Sequence, residues 1–161
     1  MYTDFVFNVV LVEPKIPQNT GTIARLCAAN NTPLTLVGDL GFSLDDSHLK
    51  RAGLDYWDFV TWTHVPDVDA FFDGINEDTT VCPCLFSSHA TVNYTQPTYT
   101  PNHMLIFGSE TQGLPASIRD RYPDQLFTIP MANPNIRSLN LANAVSIVLY
   151  EAIRQQSVLN P

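Results

Sequence analysis

The sequence predicts an α/β domain with a mostly parallel sheet of about five or six strands flanked by helices. Short apolar, β-branched runs alternate along the chain with segments of helical periodicity, and this alternation supports the class. Hydrophobic residues make up 45% of the sequence against 15% charged residues, so the chain can form a sizeable core. A chain of 161 residues corresponds to one domain, so residues 1–161 are expected to share one core.

The predicted strands are apolar runs that stop at turn-forming residues. The first ends at Glu13 and Pro14, the second at Gly38, and the fifth at Gly108. Together the predicted strands are residues 5–12, 34–37, 57–62, 80–86, 104–107 and 127–129.

The predicted helices rest on caps and periodicity. Asn19 and Thr20 offer an N-cap to the first helix, and Pro115 suits the first turn of the fourth. The last helix has the clearest signal, an apolar stripe widened by Leu149 and Ile153. The predicted helices are residues 22–30, 45–52, 67–72, 115–121 and 138–156, and the stripe is Leu141, Val145, Val148 and Ala152.

Charge and cysteine content narrow the class of protein. A net charge of −8 argues against bulk-charge coating of nucleic acid, although a small basic site remains possible. No apolar stretch is long enough to span a membrane, and Met1–Asp4 lacks the basic start of a signal peptide. Three cysteines cannot all pair, which fits a reducing cytoplasm, and we expect Cys27, Cys82 and Cys84 to be buried small hydrophobes. Their spacing predicts no metal site.

Several familiar catalytic signatures are absent. The glycines form no G-x-G-x-x-G motif, Leu114 and Pro115 replace the Lys-Ser/Thr of a P-loop, and no G-x-S-x-G elbow exists. A polar set remains in three loops that follow predicted strands, where α/β sheets bind ligands. Singly, each member can be read as a helix cap, a turn residue or a solvated side chain. The set is Asn19, Arg25, Glu110, Arg137, Ser138, Asn140 and Asn143.

Taken together and in order, these residues resemble the three motifs of the SPOUT superfamily of RNA methyltransferases. The motifs are residues 19–25 (NTGTIAR), 107–115 (FGSETQGLP), and 129–131 (IPM) with 137–146 (RSLNLANAVS). Further segments resemble the small branch that methylates the ribose of the tRNA wobble nucleotide. They are residues 13–19 (EPKIPQN), 41–42 (GF), 45–46 (DD) and 51–56 (RAGLDY), and the resemblance covers about residues 6–156 with no appended RNA-binding domain.

The resemblance implies an α/β knot, in which the C-terminal segment forms a deep trefoil, and an obligate homodimer. It also implies that S-adenosylmethionine is the cofactor and that the substrate is the wobble cytidine or uridine of a leucine tRNA. No metal and no membrane are implied. The residues assigned to the cofactor are Phe86, Gly108, Ile129, Met131, Ser138 and Leu139. An apolar slot with a few backbone donors suits an adenine and a thioether, and Gly108 would let the backbone approach the ligand.

By the same resemblance, the catalytic set is Arg25, Asn19, Asn140 and Glu110, with Arg25 as the central candidate. An arginine is a poor base because its pKa lies above about 12. We therefore expect Arg25 to bind the adjacent phosphate and polarise the 2′-hydroxyl, with Asn19 and Asn140 orienting Arg25 and the ribose. Glu110 is expected to fix the second loop by accepting backbone N–H bonds. Lys50, Arg51 and Arg137 are the candidates for RNA contact.

This chain departs from the family at two places. Ser88-His89-Ala90 stands where a Thr-Lys-Gly run is common, and Ser47-His48 replaces a more basic pair. Alternatives remain open at this point: a nucleotide-binding module without catalysis, methylation at another RNA site, and a small hydrolase of flavodoxin-like fold. A hydrolase would need a nucleophile–His–carboxylate set, which cannot be assembled from this sequence. A methyl-transfer assay separates a nucleotide-binding module from an enzyme.

Overall fold

A computed structural model describes residues 7–45, 47, 49, 51 and 56–159, and it contains a seven-stranded sheet. Every pair of neighbouring strands is parallel, and the strand order is β3-β2-β1-β6-β4-β7-β5. The strands are β1 (Asn8–Val12), β2 (Leu34–Val37), β3 (Trp62–Val65), β4 (Cys82–Phe86), β5 (Val92–Asn93), β6 (His103–Phe107) and β7 (Leu126–Thr128). The helices are α1 (Pro17–Ala29), α2 (Val68–Glu77), α3 (Ala116–Arg121) and α4 (Leu141–Leu159).

The core lies on both faces of the sheet because its strands alternate between two apolar layers. Along β1, Val9 and Leu11 pack on one face, while Val10 and Val12 pack on the other. The first layer includes buried residues of α1 and α4, and the second includes buried residues of α2 and α3. The stripe predicted for the last helix is confirmed. Ile153 is partly buried against the core, and the other residues are buried: Leu141, Val145, Val148, Leu149 and Ala152.

The parallel arrangement brings the loops after β1, β4, β6 and β7 to one edge of the sheet, called the carboxyl edge here. Leu11 pairs with Phe107 and Phe86 pairs with Phe107, so these strands end at nearly the same level. Phe127 pairs with Phe86 on the other side. The polar loops predicted to carry the chemistry therefore start side by side.

The α/β class is confirmed, with one strand more than expected: the two-residue β5. The predicted strand at residues 57–62 is wrong. Trp57–Phe59 form a single 3-10 turn, and the strand begins only at Trp62. The turn places the rings of Trp57 and Trp62 5.5 Å apart and leaves Phe59 75% exposed. Packing the two tryptophans thus outweighs the extended conformation that the apolar run predicted.

The predicted cap of the first helix is also wrong. Helix α1 starts at Pro17, whose missing N–H costs nothing in a first turn, so Asn19 lies inside the helix. Its side chain bonds Glu110 and Asn140 instead of capping the helix. Helix α4 starts at Leu141, later than the predicted start at residue 138, and Asn140 caps it, since Asn140 Oδ1 accepts the N–H of Asn143 at 3.2 Å.

Some predictions lie partly or wholly outside the described residues. The predicted helix at residues 45–52 is helical at Ser47, Leu49 and Arg51, and the positions between them are not described. The start of the first predicted strand, residues 5–6, is likewise outside. The trefoil knot stays a prediction. Among the helices that the structure describes, none is long and apolar enough to cross a membrane.

Candidate active site

A cavity of about 330 Å³ opens at the carboxyl edge, between the loops that follow β4, β6 and β7. Its volume lies within the usual range of small-molecule sites. All six residues that the resemblance assigned to the cofactor line it: Phe86, Gly108, Ile129, Met131, Ser138 and Leu139. The structure therefore brings together residues that are up to 53 positions apart, from Phe86 to Leu139.

The floor of the cavity is apolar and comes from the ends of the strands. The rings of Phe86 and Phe107 stack with centroids 4.9 Å apart and planes inclined by 18°. Ile129, Met131 and Leu139 add aliphatic and thioether surface. Such a slot suits a planar base together with a sulfur group.

Gly108 is required by the fold of its own loop, in addition to the role expected from the resemblance. A Cβ placed on Gly108 would overlap the backbone carbonyl carbon of Gly113 and the nitrogen of Leu114. The loop closes there through reciprocal bonds between Ser109 and Gly113, and Gly113 has a φ of +67°. Gly108 thus lets the 108–114 loop fold back on itself, and its predicted role in letting the backbone approach a ligand stays a prediction.

Glu110 ties the second polar loop to the first. Its Oε2 accepts the backbone N–H of Lys15 at 2.7 Å, and its Oε1 accepts the backbone N–H of Ile16 at 3.1 Å. The Nδ2 of Asn19 donates to the same Oε1 at 3.3 Å. Glu110 does accept backbone N–H groups as predicted, but they belong to the loop after β1. Charged acceptors make the stronger hydrogen bonds, so this carboxylate clamps two loops together.

Asn19 and Asn140 extend the clamp to the third loop. Asn140 Nδ2 donates to Asn19 Oδ1 at 3.0 Å, across 121 positions of sequence. Asn140 Oδ1 meanwhile caps α4. The amide oxygen and nitrogen of each asparagine are both engaged, so Glu110, Asn19 and Asn140 form one continuous polar chain, called the loop clamp below.

Arg25 stands apart from the loop clamp and from the cavity. It lies six residues beyond Asn19 on α1, which is about 9 Å along the helix axis and on a different face. Its side chain is exposed, and it bonds Tyr56 rather than Asn19 or Asn140. The prediction that the two asparagines orient Arg25 is wrong within one chain, because both are committed to the loops.

The predicted RNA contacts fall in three places. Arg137 is exposed and lines the cavity rim, and Arg51 is exposed next to positions that the structure does not describe. Lys50 lies outside the described residues. Arg137 therefore lies both at the cavity and at the open surface, where a larger substrate can reach it.

Sequence reasoning missed one wall of the cavity. Ser87, Ser88 and His89 line it, and the Ser87 hydroxyl accepts the His89 backbone N–H at 3.1 Å. These residues directly follow β4. Because ligands bind beyond the carboxyl ends of parallel strands, the predicted strand at 80–86 already pointed to them.

The cysteines agree with expectation at two of three positions. Cys27 and Cys84 are buried, and burial raises the pKa of each thiol to about 12. Cys82 is exposed, which corrects the expectation that all three are buried, because the strand start at Cys82 borders a surface hollow. Among the described residues, no three His, Cys, Asp or Glu side chains are grouped closely enough to hold a metal ion.

These features define an α/β protein with a cavity of small-molecule size between loops at the carboxyl edge of a parallel sheet. The chain belongs to the SpoU methylase family: the model described as the SpoU rRNA Methylase family matches residues 6–150. The predicted relationship to ribose methyltransferases of the SPOUT type is thereby confirmed. The chain is also 47% identical over 153 residues to a tRNA (cytidine(34)-2'-O)-methyltransferase from Yersinia pestis, covering 93% of this chain and 94% of that one.

Solved structures agree with the sequence relatives. A structure concerned with 2-OH methylation of the cytidine or uridine at position 34 of tRNA superposes with a TM-score of 0.90 at 37% identity, covering 97% of this chain and 99% of that one. The SpoU methyltransferase AviRb from Streptomyces viridochromogenes, in complex with AdoMet, gives a TM-score of 0.82 at 27% identity. That match covers 93% of this chain and 57% of AviRb.

Proposed function

We propose that this enzyme transfers a methyl group from S-adenosylmethionine to the ribose 2′-hydroxyl of the wobble cytidine or uridine of a tRNA. The carrying observation is the carboxyl-edge cavity, which gathers all six residues assigned to the cofactor by resemblance. The Yersinia pestis relative, named for this reaction, supports the choice of substrate. The AdoMet complex of AviRb supports the choice of cofactor.

The cavity residues fit that cofactor by their chemistry. Phe86, Ile129 and Leu139 offer apolar surface to an adenine, and the loop from Gly108 to Gly113 offers backbone groups at short range. When bound, S-adenosylmethionine supplies an electrophilic methyl group on a sulfonium and leaves as S-adenosylhomocysteine. The apolar cavity residues would hold this group, and Arg137 also lines the cavity.

In this proposal Arg25 binds the RNA and does not act as the base that removes the proton. Its guanidinium stays charged at all physiological pH values, so it binds a phosphate through paired N–H bonds and polarises the neighbouring 2′-hydroxyl. Arg25 would hold the phosphate and the 2′-hydroxyl so that the hydroxyl proton can pass to the phosphate or to water when the methyl group moves from the sulfur to the oxygen. Holding the reacting groups in this geometry is the main contribution of the residue.

The loop clamp acts on geometry and not on the reacting atoms. Glu110, Asn19 and Asn140 join the loops after β1, β6 and β7. The cavity walls come from two of those loops, so the clamp sets the width of the cofactor slot. We therefore treat Glu110, Asn19 and Asn140 as positioning residues, whereas the sequence placed them among the catalytic ones.

A homodimer completes the proposal. Helix α4 buries one stripe in its own core and still exposes Ile147 and Tyr150, which are 37% and 53% exposed. Exposed large apolar groups on a helix that is already packed favour a second contact, and most oligomers of single chains are two-fold dimers. Arg25, Arg51 and Arg137 would then occur twice in one assembly and give the RNA twice as many arginine contacts. Sedimentation should show no stable monomer of 17.9 kDa.

Mass spectrometry of nucleosides tests the proposed reaction. Unmodified transcripts of several tRNAs, leucine tRNAs among them, are incubated with the protein and S-adenosylmethionine and then digested. We expect 2′-O-methylated cytidine or uridine from position 34, and loss of the signal when position 34 carries a 2′-deoxyribose. Methylation elsewhere would support another RNA site, and cofactor binding without any methylated nucleoside would support a non-catalytic module.

A further inference from the structure

Tyr56 and Arg25 make a paired contact that the sequence did not foresee. The guanidinium carbon of Arg25 lies 4.6 Å from the centre of the Tyr56 ring. The Nη2 of the same guanidinium donates to the Tyr56 hydroxyl at 3.4 Å. The side chain of Arg25 is therefore held by one aromatic residue both at its face and at one nitrogen.

The Tyr56 side chain is itself mounted on an anchored turn. The carbonyl oxygen of Tyr56 accepts the backbone N–H of Phe59 at 2.9 Å, which closes the turn. Trp57, the next residue, packs against Trp62 with ring centroids 5.5 Å apart, and both tryptophans contact the core cluster shared with α1 and α4. The aromatic face under Arg25 is thus fixed relative to the helix that carries Arg25.

The partner of Arg25 differs from those of other arginines in the chain. Arg121 pairs with Asp73 at 2.6 Å, and Arg154 pairs with Glu151 at 2.8 Å, so carboxylates neutralise those two guanidinium groups. For Arg25, no carboxylate among the described residues lies within ion-pair distance. A neutral ring restrains the guanidinium while leaving its positive charge and most of its N–H donors available to an anion.

We propose that Tyr56 is a positioning residue that orients the Arg25 guanidinium toward the RNA phosphate. The inference rests on the proposed function, in which Arg25 binds phosphate and polarises the ribose hydroxyl. The ring of Tyr56 sets the plane of the fork, and its hydroxyl occupies one N–H. The opposite edge of the fork then faces solvent, where a phosphate is bound through two parallel N–H bonds.

Single-turnover methyl transfer to tRNA, with saturating cofactor, tests this role. Tyr56→Leu should lower the rate constant about five- to tenfold, because a cation–π contact at an exposed site and the loss of restraint each contribute a few-fold. Tyr56→Phe keeps the ring and should stay within about threefold of wild type. Cofactor affinity should not change in either variant, which separates positioning from general damage to the fold.

The decisive comparison repeats Tyr56→Leu in an Arg25→Lys background. If Tyr56 acts through Arg25, the second substitution should cost no more than about twofold there, since coupled residues are non-additive. Phe59→Leu is the matched control: it removes an exposed aromatic ring from the same turn and should leave the rate unchanged. Equal losses in both backgrounds, or a wild-type rate for Tyr56→Leu, would overturn the role of Tyr56 alone. No transfer by the wild-type protein would overturn the proposed function and this inference with it.

Discussion

The sheet has a cavity at each edge, and the two are nearly equal in size. The carboxyl-edge cavity measures about 330 Å³, and a second one of about 370 Å³ borders the opposite edge, where β4 and β6 begin. The second is lined by neutral side chains such as Cys82, Thr98 and His103. The first carries Glu110 and Arg137. Volume alone does not distinguish a functional cavity from a packing hollow.

The difference between the edges lies in what holds the loops. At the carboxyl edge, Glu110 and Asn140 bond residues 91 to 121 positions away. At the opposite edge, the Gln155 side chain on α4 bonds the backbone of Pro97 and Tyr99, 58 and 56 positions away. His103 there bonds the neighbouring Thr100, and burial lowers the pKa of its imidazole. Both edges therefore have long-range polar bonds, but only at the carboxyl edge does a carboxylate join two loops to each other. The comparison favours the carboxyl edge for the chemistry.

The largest expected effect is that of Gly108→Ala. A methyl group there overlaps backbone atoms of Gly113 and Leu114, so the loop must open. We expect a loss of about 3 kcal/mol or more in the free energy of unfolding, together with loss of S-adenosylhomocysteine binding by calorimetry. The control is Gly74→Ala in α2, where a Cβ meets no atom within 4 Å. It should raise stability by about 0.5–1 kcal/mol. If the two variants have the same free energy of unfolding and the same affinity for S-adenosylhomocysteine, the 108–114 loop does not need a glycine at position 108.

Arg25→Lys comes next in size. Lysine keeps the charge but loses the planar fork, so methyl transfer in a single turnover should fall on the order of a hundredfold. Cofactor affinity should barely move, because Arg25 does not line the cavity. Arg121→Lys, on the other face of the sheet, should keep its rate within about twofold. If Arg25→Lys keeps a rate within a few-fold of wild type, Arg25 does not have the proposed role in methyl transfer.

Sequence reasoning succeeded where local pattern decides the outcome. The stripe of α4 and the strand at Leu34–Val37 follow directly from spacing and from turn residues. It failed where a contact distant in sequence decides. The strand expected at residue 57 became a turn because Trp57 packs on Trp62, and Asn19 left its expected cap position to bond Glu110 and Asn140. The members of the site were named by motif resemblance, but which residue bonds which depends on the fold.

A smaller effect is expected for Glu110→Gln. An amide keeps the shape of the side chain but turns its NH2 toward a backbone N–H of Lys15 or Ile16. We expect about 1–3 kcal/mol less stability in chemical denaturation, and about tenfold weaker binding of S-adenosylhomocysteine. Glu77→Gln, at an exposed end of α2, should change stability by less than about 0.5 kcal/mol. Unchanged cofactor affinity in Glu110→Gln would show that the loop clamp does not set the width of the cofactor slot.

The smallest effect concerns the three cysteine thiols. Burial raises the pKa of Cys27 and Cys84 to about 12, so both stay protonated and unreactive at pH 8. Cys82 is exposed. A colorimetric thiol reagent should therefore label one cysteine in the native protein and three in denaturant. Blocking Cys82 in this way should leave methyl transfer within about twofold of the untreated rate. Rapid labelling of Cys84 would mean that the second cavity opens.

Placing an arginine in each cavity in turn tests the assignment of chemistry to the carboxyl edge. Leu139→Arg fills the first cavity and Thr98→Arg fills the second. Both variants are checked for wild-type thermal unfolding and then titrated with S-adenosylhomocysteine. We expect Leu139→Arg to weaken binding at least a hundredfold, as roughly 2.7 kcal/mol of lost contact implies, and Thr98→Arg to bind like wild type. Loss of binding in Thr98→Arg with normal binding in Leu139→Arg would contradict the assignment and move the cofactor to the opposite edge.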